Sequence, residues 1–189
     1  AFHLRGKTVL VRVDFNVEHA RDALRLERSL PTLRYLHRQG AIVLLVSHRG
    51  RPGGQPVPEL SLRFAVRFLR ERLTAHTDFI HEFDWYSIKT KLAKAEPGHV
   101  FLLENIRFLP GEESERVSVR EHLAGELAAC ADIFVNDAFA VSHRIGASIT
   151  EVPKLIPAYA GLLIEEELSH LGRTLTRAHP PFVVMIGGG

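Results

Sequence analysis

Cysteine is almost absent from the 189-residue sequence, which contains Cys130 alone. An intrachain disulfide is therefore excluded, and a chain of this kind is typical of a reducing compartment. Cys130 follows a run of small apolar residues at the end of an expected helix. This setting favours a buried packing role for the thiol over a nucleophilic one.

Long apolar runs are missing as well. No stretch approaches the ~20 residues of a membrane span, and the N-terminal residues lack the apolar region of a secretory signal peptide. We therefore expect a cytoplasmic protein that has no membrane partner.

The sequence also lacks a strong charge of either sign, because its formal net charge is only +2. So small an excess does not fit a dedicated nucleic-acid-binding protein, and no aromatic stacking ladder accompanies the basic loops. The eleven histidines are scattered, with no His-x-x-x-His pair and no Cys/His cluster. We therefore expect neither a nucleic-acid partner nor a bound metal.

What the sequence does contain is a regular alternation of apolar runs and helical stripes. Strands are predicted over residues 8–13, 41–46, 79–80, 99–103, 132–135 and 182–186. Two helices are predicted to begin at the N-caps Ser29 and Ser61. Three further helices are predicted over residues 84–94, 115–129 and 158–176. Pro31 fits only a first turn, which places Arg25 just before the first helix. The alternation predicts an α/β fold, namely a Rossmann-like three-layer α/β/α sandwich around a mostly parallel sheet.

The loop after the second predicted strand indicates what kind of ligand the sheet serves. His48, Arg49 and Arg51 follow the buried run 41–46, and three glycines in the same loop let the backbone approach a ligand closely. Ligands of open α/β sheets bind just beyond the carboxyl ends of the strands. The loop is therefore a candidate anion-binding site.

The same arrangement recurs at three other strand ends. The polar residues at the four ends are Asp14 and Asn16, His48 and Arg51, Asn105 and Arg107, and Asn136 leading to Arg144. Parallel strands bring all of their carboxyl ends to one edge of the sheet. One such loop is a common solvated turn, but four in register predict a shared anion site.

These strand ends carry five motifs that resemble the phosphoglycerate kinase family, in that family's order and spacing. The motifs are Arg12-Val13-Asp14-Phe15-Asn16-Val17, Leu30-Pro31-Thr32-Leu33, Ser47-His48-x-Gly50-Arg51-Pro52, Glu104-Asn105-x-Arg107-Phe108 and Asn136-Asp137-Ala138-Phe139…His143-Arg144. The resemblance implies an amino-terminal domain that binds 3-phosphoglycerate, at residues 1–157. Residues 158–179 would form the helix linking two domains, and residues 180–189 the first strand of a nucleotide-binding domain.

The resemblance also implies roles for individual residues. Asp14 and Asn16 would contact the glycerate end, and Arg25 would contact the carboxylate and the phosphoryl group in transfer. His48, Arg51, Arg107 and Arg144 would form the basic patch that holds the 3-phosphate. Gly187 and Gly188 would open the nucleotide motif. The complete enzyme would use Mg-ATP or Mg-ADP, whereas this chain alone is expected to bind neither and to be inactive, with the missing nucleotide domain as its partner.

Three departures from the family pattern bear on the site. Arg49 stands where leucine is usual, which would add a cation beside the pocket. Ala140-Val141-Ser142 replaces a more usual turn ahead of Arg144, and the segment after Asn16 is short, which leaves Arg21 as an alternative to Arg25.

Two other functions compete with this one. A stand-alone anion-binding domain without catalysis stays open. A dinucleotide-dependent oxidoreductase is disfavoured, because no Gly-x-Gly-x-x-Gly follows the first strand.

Overall fold

A computed structural model describes residues 3–17, 24–177, 183 and 185 of the chain, without the side chains of 174–177. The strands are β1 Thr8–Arg12, β2 Ile42–Val46, β3 Thr77–Ile80, β4 Val100–Leu103, β5 Ile133–Asn136 and β6 Ala158–Ala160. The α-helices are α1 Leu24–Arg38, α2 Phe64–Leu73, α3 Trp85–Ala93, α4 Val117–Ala128 and α5 Leu162–Arg177. Short 3-10 helices cover Pro58–Leu60, Ile106–Phe108, Phe139–Val141 and Val152–Lys154, and a π-helical turn covers Ala147–Glu151. No helix in these described ranges is long and apolar enough to cross a membrane.

The six strands form one sheet in the order β3-β4-β2-β1-β5-β6, and every pairing is parallel. Because side chains alternate along a strand, the sheet carries two separate cores. Val9, Val11 and Val43 point to the face covered by α1 and α2. Leu10 and Leu44 point to the face covered by α3 and α4. The predicted three-layer α/β/α architecture is confirmed.

The first helix begins earlier than the sequence rules predicted. Arg25 and Ser29 both lie inside α1 instead of before it and at its N-cap. The Ser29 hydroxyl donates to the carbonyl of Leu26 at 2.7 Å, and the buried stripe starts at Leu26. Packing of this apolar turn on the sheet outweighs the cost of Pro31 in the helix interior, which removes a backbone donor.

The helix predicted from residue 158 begins at Leu162, because residues 158–160 form the edge strand β6. The Ala-Tyr-Ala sequence of β6 is exposed along its whole length and carries no apolar run, so the sequence pattern did not predict a strand there. The predicted strand 182–186, with Gly187 and Gly188, lies outside the described residues apart from positions 183 and 185.

Candidate functional site

The sheet opens a crevice at the edge where its strands end. The helices that follow β1 and β2 pack on one face, whereas the segments that follow β4 and β5 pack on the other. Loops that diverge in this way leave a gap beyond the strand ends, the usual ligand position in open α/β sheets. The predicted residues of four different loops therefore meet at this edge.

A cleft of about 680 Å³ lies in this crevice, and we call it the basic cleft. Its lining residues are Asn16, Val17, Leu24, Arg25, Gly50, Arg51, Arg107 and Arg144. Five predicted site residues are thus brought together, including four arginines. Such a concentration of guanidinium groups suits a ligand with more than one anionic group, because arginine binds carboxylate and phosphate oxygens in a forked geometry.

Arg107 is the most enclosed of the four arginines. One of its terminal nitrogens donates to the Gly50 carbonyl at 2.7 Å, and the other pairs with Glu113. Burial lowers the pKa of the Arg107 guanidinium, Glu113 opposes that shift, and the charge of Arg144 adds to it. An anion in the cleft would relieve the repulsion between the two guanidinium groups.

Arg144 holds a donor that the protein itself does not satisfy. Within the described part of the chain, no acceptor lies within hydrogen-bonding distance of its buried Nε atom. A buried unpaired donor costs free energy, about 1–3 kcal/mol, unless a ligand or water accepts from it. Its position at the basic cleft makes a bound anion the natural acceptor.

Asp14 and Arg25 form an ion pair at the rim of the basic cleft. A terminal nitrogen of Arg25 donates to Asp14 Oδ2 at 2.5 Å, and Asp14 Oδ1 accepts from the Asn16 backbone at 3.0 Å. Arg25 is half exposed on the first turn of α1, whereas Asp14 is buried. The carboxylate therefore positions both Arg25 and the loop carrying Asn16. Arg21, the alternative to Arg25, lies outside the described residues.

His48 does not belong to the cationic patch, contrary to the prediction. It is buried, and burial together with the charges of Arg12, Arg107, Arg144 and Arg25 lowers its pKa to about 2. Its Nδ1 atom lies 3.1 Å from a terminal nitrogen of Arg12. Because arginine only donates, Nδ1 must accept, and the proton of the neutral ring is on Nε2. His48 can therefore offer an N–H to an anion but not a positive charge.

Arg12 anchors a buried polar network beneath the cleft, and sequence reasoning gave it no role. Its Nε donates to Ser148 Oγ at 2.9 Å, and that hydroxyl donates to Glu112 at 2.6 Å. Burial lowers the pKa of Arg12 and raises that of Glu112, while the attraction between the two opposite charges opposes both shifts. A charged residue at the end of an otherwise apolar strand was the available signal, because such a residue is almost never fully buried without partners.

Two asparagines hold the loops of the cleft in place. The Asn16 carboxamide oxygen accepts from Gly50 N at 2.9 Å. Asn105 accepts from the backbone of Arg49 and Arg107 and donates to the Arg49 carbonyl at 2.7 Å. Gly50 has a φ of 61°, and an added Cβ would lie 2.7 Å from Leu60, so this position requires glycine. Asn105 thus has a structural role at the site.

Arg49, the residue that departs from the family pattern, does not line the basic cleft but a separate groove beside Phe64. Its Nε donates to the Val17 carbonyl at 2.9 Å, and its guanidinium lies 4.8 Å above the ring of Phe64. The expectation of an extra cation beside the pocket is therefore wrong. Backbone carbonyls and an aromatic face compensate this charge locally.

Comparisons with known proteins match this arrangement to one family. The family model described as phosphoglycerate kinase matches residues 1–189. The chain belongs to the phosphoglycerate kinase family. The phosphoglycerate kinases of Chloroflexus aggregans and Chloroflexus aurantiacus are each 43% identical over 190 residues, covering 97% of this chain.

Solved structures of phosphoglycerate kinases share the fold. The crystal structure from Pyrococcus horikoshii OT3 matches with a TM-score of 0.81 and 32% identity over 95% of this chain. The structure from Coxiella burnetii matches with a TM-score of 0.80 and 33% identity over the same share. Only 46% and 45% of those chains are covered. The chain likewise spans about half the length of the curated relatives, 46% in each case.

Asp137, which lies in one of the five family motifs, has a role that sequence reasoning missed. Asp137 follows β5, is fully buried, and accepts from the backbone of Leu163 at 3.0 Å, so it caps the N-terminus of α5. Burial raises its pKa to about 6, although hydrogen bonds from Thr32 and the helix backbone oppose the shift. Asp137 therefore connects the end of the sheet that carries the basic cleft to the last described helix.

Proposed function

We propose that this chain is the 3-phosphoglycerate-binding half of a phosphoglycerate kinase. That enzyme transfers a phosphoryl group reversibly between ATP and 3-phosphoglycerate, giving 1,3-bisphosphoglycerate and ADP, in glycolysis and in the cytoplasm. The observation that carries the proposal is the convergence of Arg25, Arg51, Arg107 and Arg144 on one cleft beyond the strand ends. Family membership supports the reaction assigned to it.

The basic cleft suits the shape and charge of 3-phosphoglycerate. This ligand has a carboxylate at one end and a phosphate at the other, so it needs cations at two points. Arg51, Arg107 and Arg144 would hold the 3-phosphate, with the unpaired Arg144 Nε as one donor. Asp14 and Asn16 would contact the glycerate end. His48 would donate its Nε2–H to an oxygen of the ligand, as a neutral partner of the arginines.

Arg25 is the proposed catalytic residue. It lies at the rim of the cleft, half exposed and oriented by Asp14, where it can contact the substrate carboxylate and the phosphoryl group in transfer. Phosphoryl transfer depends mainly on positioning and on neutralising charge, and needs no covalent catalyst in the protein. The arginine therefore supplies charge, and Asp14 supplies its orientation.

The nucleotide side of the reaction would come from the half of its relatives' length that this chain does not cover. Mg-ATP or Mg-ADP would bind there, and the proposed nucleotide residues Gly187 and Gly188 lie outside the described residues. We propose residues 1–157 as the substrate domain, 158–179 as the link and 180–189 as the start of the second domain. Leu168 and Leu171 of α5 are half exposed, which supports a partner surface along this link.

The test is a coupled kinase assay on the purified chain, with and without the complementary half of the Chloroflexus aggregans enzyme. We expect no turnover from the chain alone, because Mg-ATP would be aligned by the complementary half, and measurable turnover from the mixture. Arg25→Ala should reduce the turnover of the mixture about tenfold to a hundredfold, the effect of one lost charged hydrogen bond. Arg67→Ala is the matched control, because this exposed arginine pairs with Glu71 on α2 and does not line the basic cleft.

Two outcomes would contradict the proposal. Turnover by the chain alone that Arg25→Ala abolishes would place a nucleotide site within these residues. Binding of 3-phosphoglycerate without turnover in any mixture would favour the alternative, a stand-alone anion-binding domain.

A further inference from the structure

A second cluster of ionisable side chains lies at the amino ends of the strands, opposite the carboxyl ends that carry the basic cleft. His76 immediately precedes β3 and His99 immediately precedes β4, whereas the loops of the basic cleft follow the strands. Thr77 pairs with Val100 in the parallel register, so the residues just before them, His76 and His99, are neighbours at the starts of adjacent strands. The amide of Val100 donates to the carbonyl of His76 at 2.9 Å, which fixes this relation in the backbone.

The side chains of this cluster converge on one carboxylate. Asp78 Oδ2 lies 3.1 Å from Nε2 of His99, and Asp78 Oδ1 lies 3.4 Å from Nε2 of His76. The three ligating atoms all lie within 4.8 Å of one another. Across the described residues, this is the one group of three or more such side chains close enough to share an ion.

We propose that His76, Asp78 and His99 form a binding site for a divalent transition-metal ion of the zinc type. Two imidazole nitrogens and one carboxylate oxygen are the ligand set of three-ligand zinc sites, in which water takes the fourth position. Metal–ligand bonds of about 2.0–2.2 Å in a tetrahedron place ligating atoms about 3.3–3.6 Å apart. The measured separations of the nitrogens from Asp78 already approach this spacing.

Packing holds the His99 side chain in place and leaves the His76 side chain free to rotate. The His99 ring is mostly buried and stacks on Phe101 with a centroid distance of 4.1 Å, so its position is set by the core. His76 stacks on His99 at 4.3 Å but is largely exposed, so a small rotation can bring its nitrogen closer. The cluster lines an open groove of about 790 Å³, which leaves a fourth position accessible to water.

One cation competes with a metal at this position. A terminal nitrogen of Arg70 lies 3.9 Å from Asp78 Oδ1, while its Nε donates to the Thr77 carbonyl at 2.8 Å. Lys91 and Lys94 line the same groove. These charges weaken the attraction for a divalent ion, so the imidazole nitrogens must supply most of the affinity. This also makes the role of Arg70 testable, because its removal should strengthen binding.

Short-range sequence spacing does not reveal this site, since His99 lies more than twenty positions after His76. Strand register, rather than a local motif, brings the ligands together. A bound ion would join the edge strand β3 to β4. It would therefore stabilise the folded chain, by an amount that rises with the logarithm of the metal concentration once that concentration exceeds the Kd.

The experiment is calorimetric titration of the EDTA-treated, buffer-exchanged chain with Zn²⁺ alone, together with thermal unfolding in the presence and absence of the ion. We expect one Zn²⁺ per chain and a higher unfolding temperature with zinc. Each of the variants His76→Ala, His99→Gln and Asp78→Asn should weaken binding at least about tenfold, because one ligand of three is lost. Arg70→Gln should bind more tightly than the parent chain.

His122→Ala is the control, since this exposed histidine on α4 is no part of the groove. His76→Ala guards against a folding artefact, because the side chain is largely exposed and contributes little to the core. Unchanged zinc affinity in both His76→Ala and Asp78→Asn, or a loss as large in His122→Ala, would overturn the proposal. The binding of 3-phosphoglycerate at the opposite edge of the sheet should be equal in all these variants.

Discussion

At the scale of single residues, burial decides what a side chain contributes to the basic cleft. The strand-end pattern predicted that Arg51, Arg107 and Arg144 lie close together, because parallel strands share one carboxyl edge, and the family resemblance added Arg25. It misjudged His48, whose charge depends on neighbours distant in sequence, above all Arg12. It also misjudged Arg49, because the carbonyl of Val17 and the ring of Phe64 that hold it become neighbours only in the folded chain.

The assignment of His48 as a neutral ring predicts how it titrates. Its pKa in the folded chain is about 2, against an ordinary value of about 6.5. The ring signals of His48, identified by their loss in His48→Gln, should therefore stay at their neutral positions between about pH 5 and 8 in NMR spectra. The denatured chain is the control, since the same ring should titrate there near its ordinary value.

The same shift has a consequence for stability. Below about pH 6.5 the unfolded chain binds a proton at His48 that the folded chain does not bind. The free energy of unfolding therefore decreases as the pH is lowered below about 6.5. This loss should be absent from His48→Gln. A titration step of the folded ring between pH 5 and 8 would show instead that His48 is charged in the cleft.

At the scale of elements, apolar patterning predicted the buried strands. It failed at the exposed strand β6 and at the start of the helix α1, which contains a proline. β1, β2, β4 and β5 each carry a run that packs on both faces of the sheet, which is why composition revealed them. β6 has no such run, and its pairing with β5 is a property of the folded backbone. The predicted α1 is too short, because the prediction placed Pro31 in the first turn. The apolar stripe that starts at Leu26 extends the helix by packing on the sheet.

The junction between β6 and α5 depends on one glycine. A Cβ on Gly161 would lie 2.2 Å from Asp137 Oδ1, and Asp137 is fixed by its bonds to the N-terminus of α5. Gly161→Ala should therefore destabilise the chain by about 1–3 kcal/mol, because the cap must move. Urea unfolding followed by circular dichroism measures the change.

Gly172 provides a matched control within the same helix. A Cβ there meets no atom of the described residues within 4 Å, so Gly172→Ala should stabilise the chain by about 0.5–1 kcal/mol through helix propensity. A Gly161→Ala variant as stable as the parent would mean that Asp137 does not fix the start of α5.

At the scale of the whole molecule, the chain spans about half the length of the phosphoglycerate kinases it matches. Four arginines line its basic cleft, and the last described helix presents half-exposed leucines. The alternation of strands and helices was enough to predict the fold, and the five motifs contain three of the four arginines of the cleft, Arg51, Arg107 and Arg144. The partners of Arg12 were not predictable, although its charge at the end of an apolar strand was a signal, because Arg12 and Ser148 lie more than a hundred positions apart and meet only in the folded core.

The most direct test of this account is calorimetric titration of the isolated chain with 3-phosphoglycerate and, separately, with Mg-ATP. We predict one 3-phosphoglycerate per chain, no measurable binding of Mg-ATP, and about tenfold to a hundredfold weaker 3-phosphoglycerate binding in Arg51→Ala and Arg144→Ala. Arg67→Ala should bind as the parent chain does. Unchanged affinity in both cleft variants, or binding of Mg-ATP that competes with 3-phosphoglycerate, would contradict the assignment of the basic cleft.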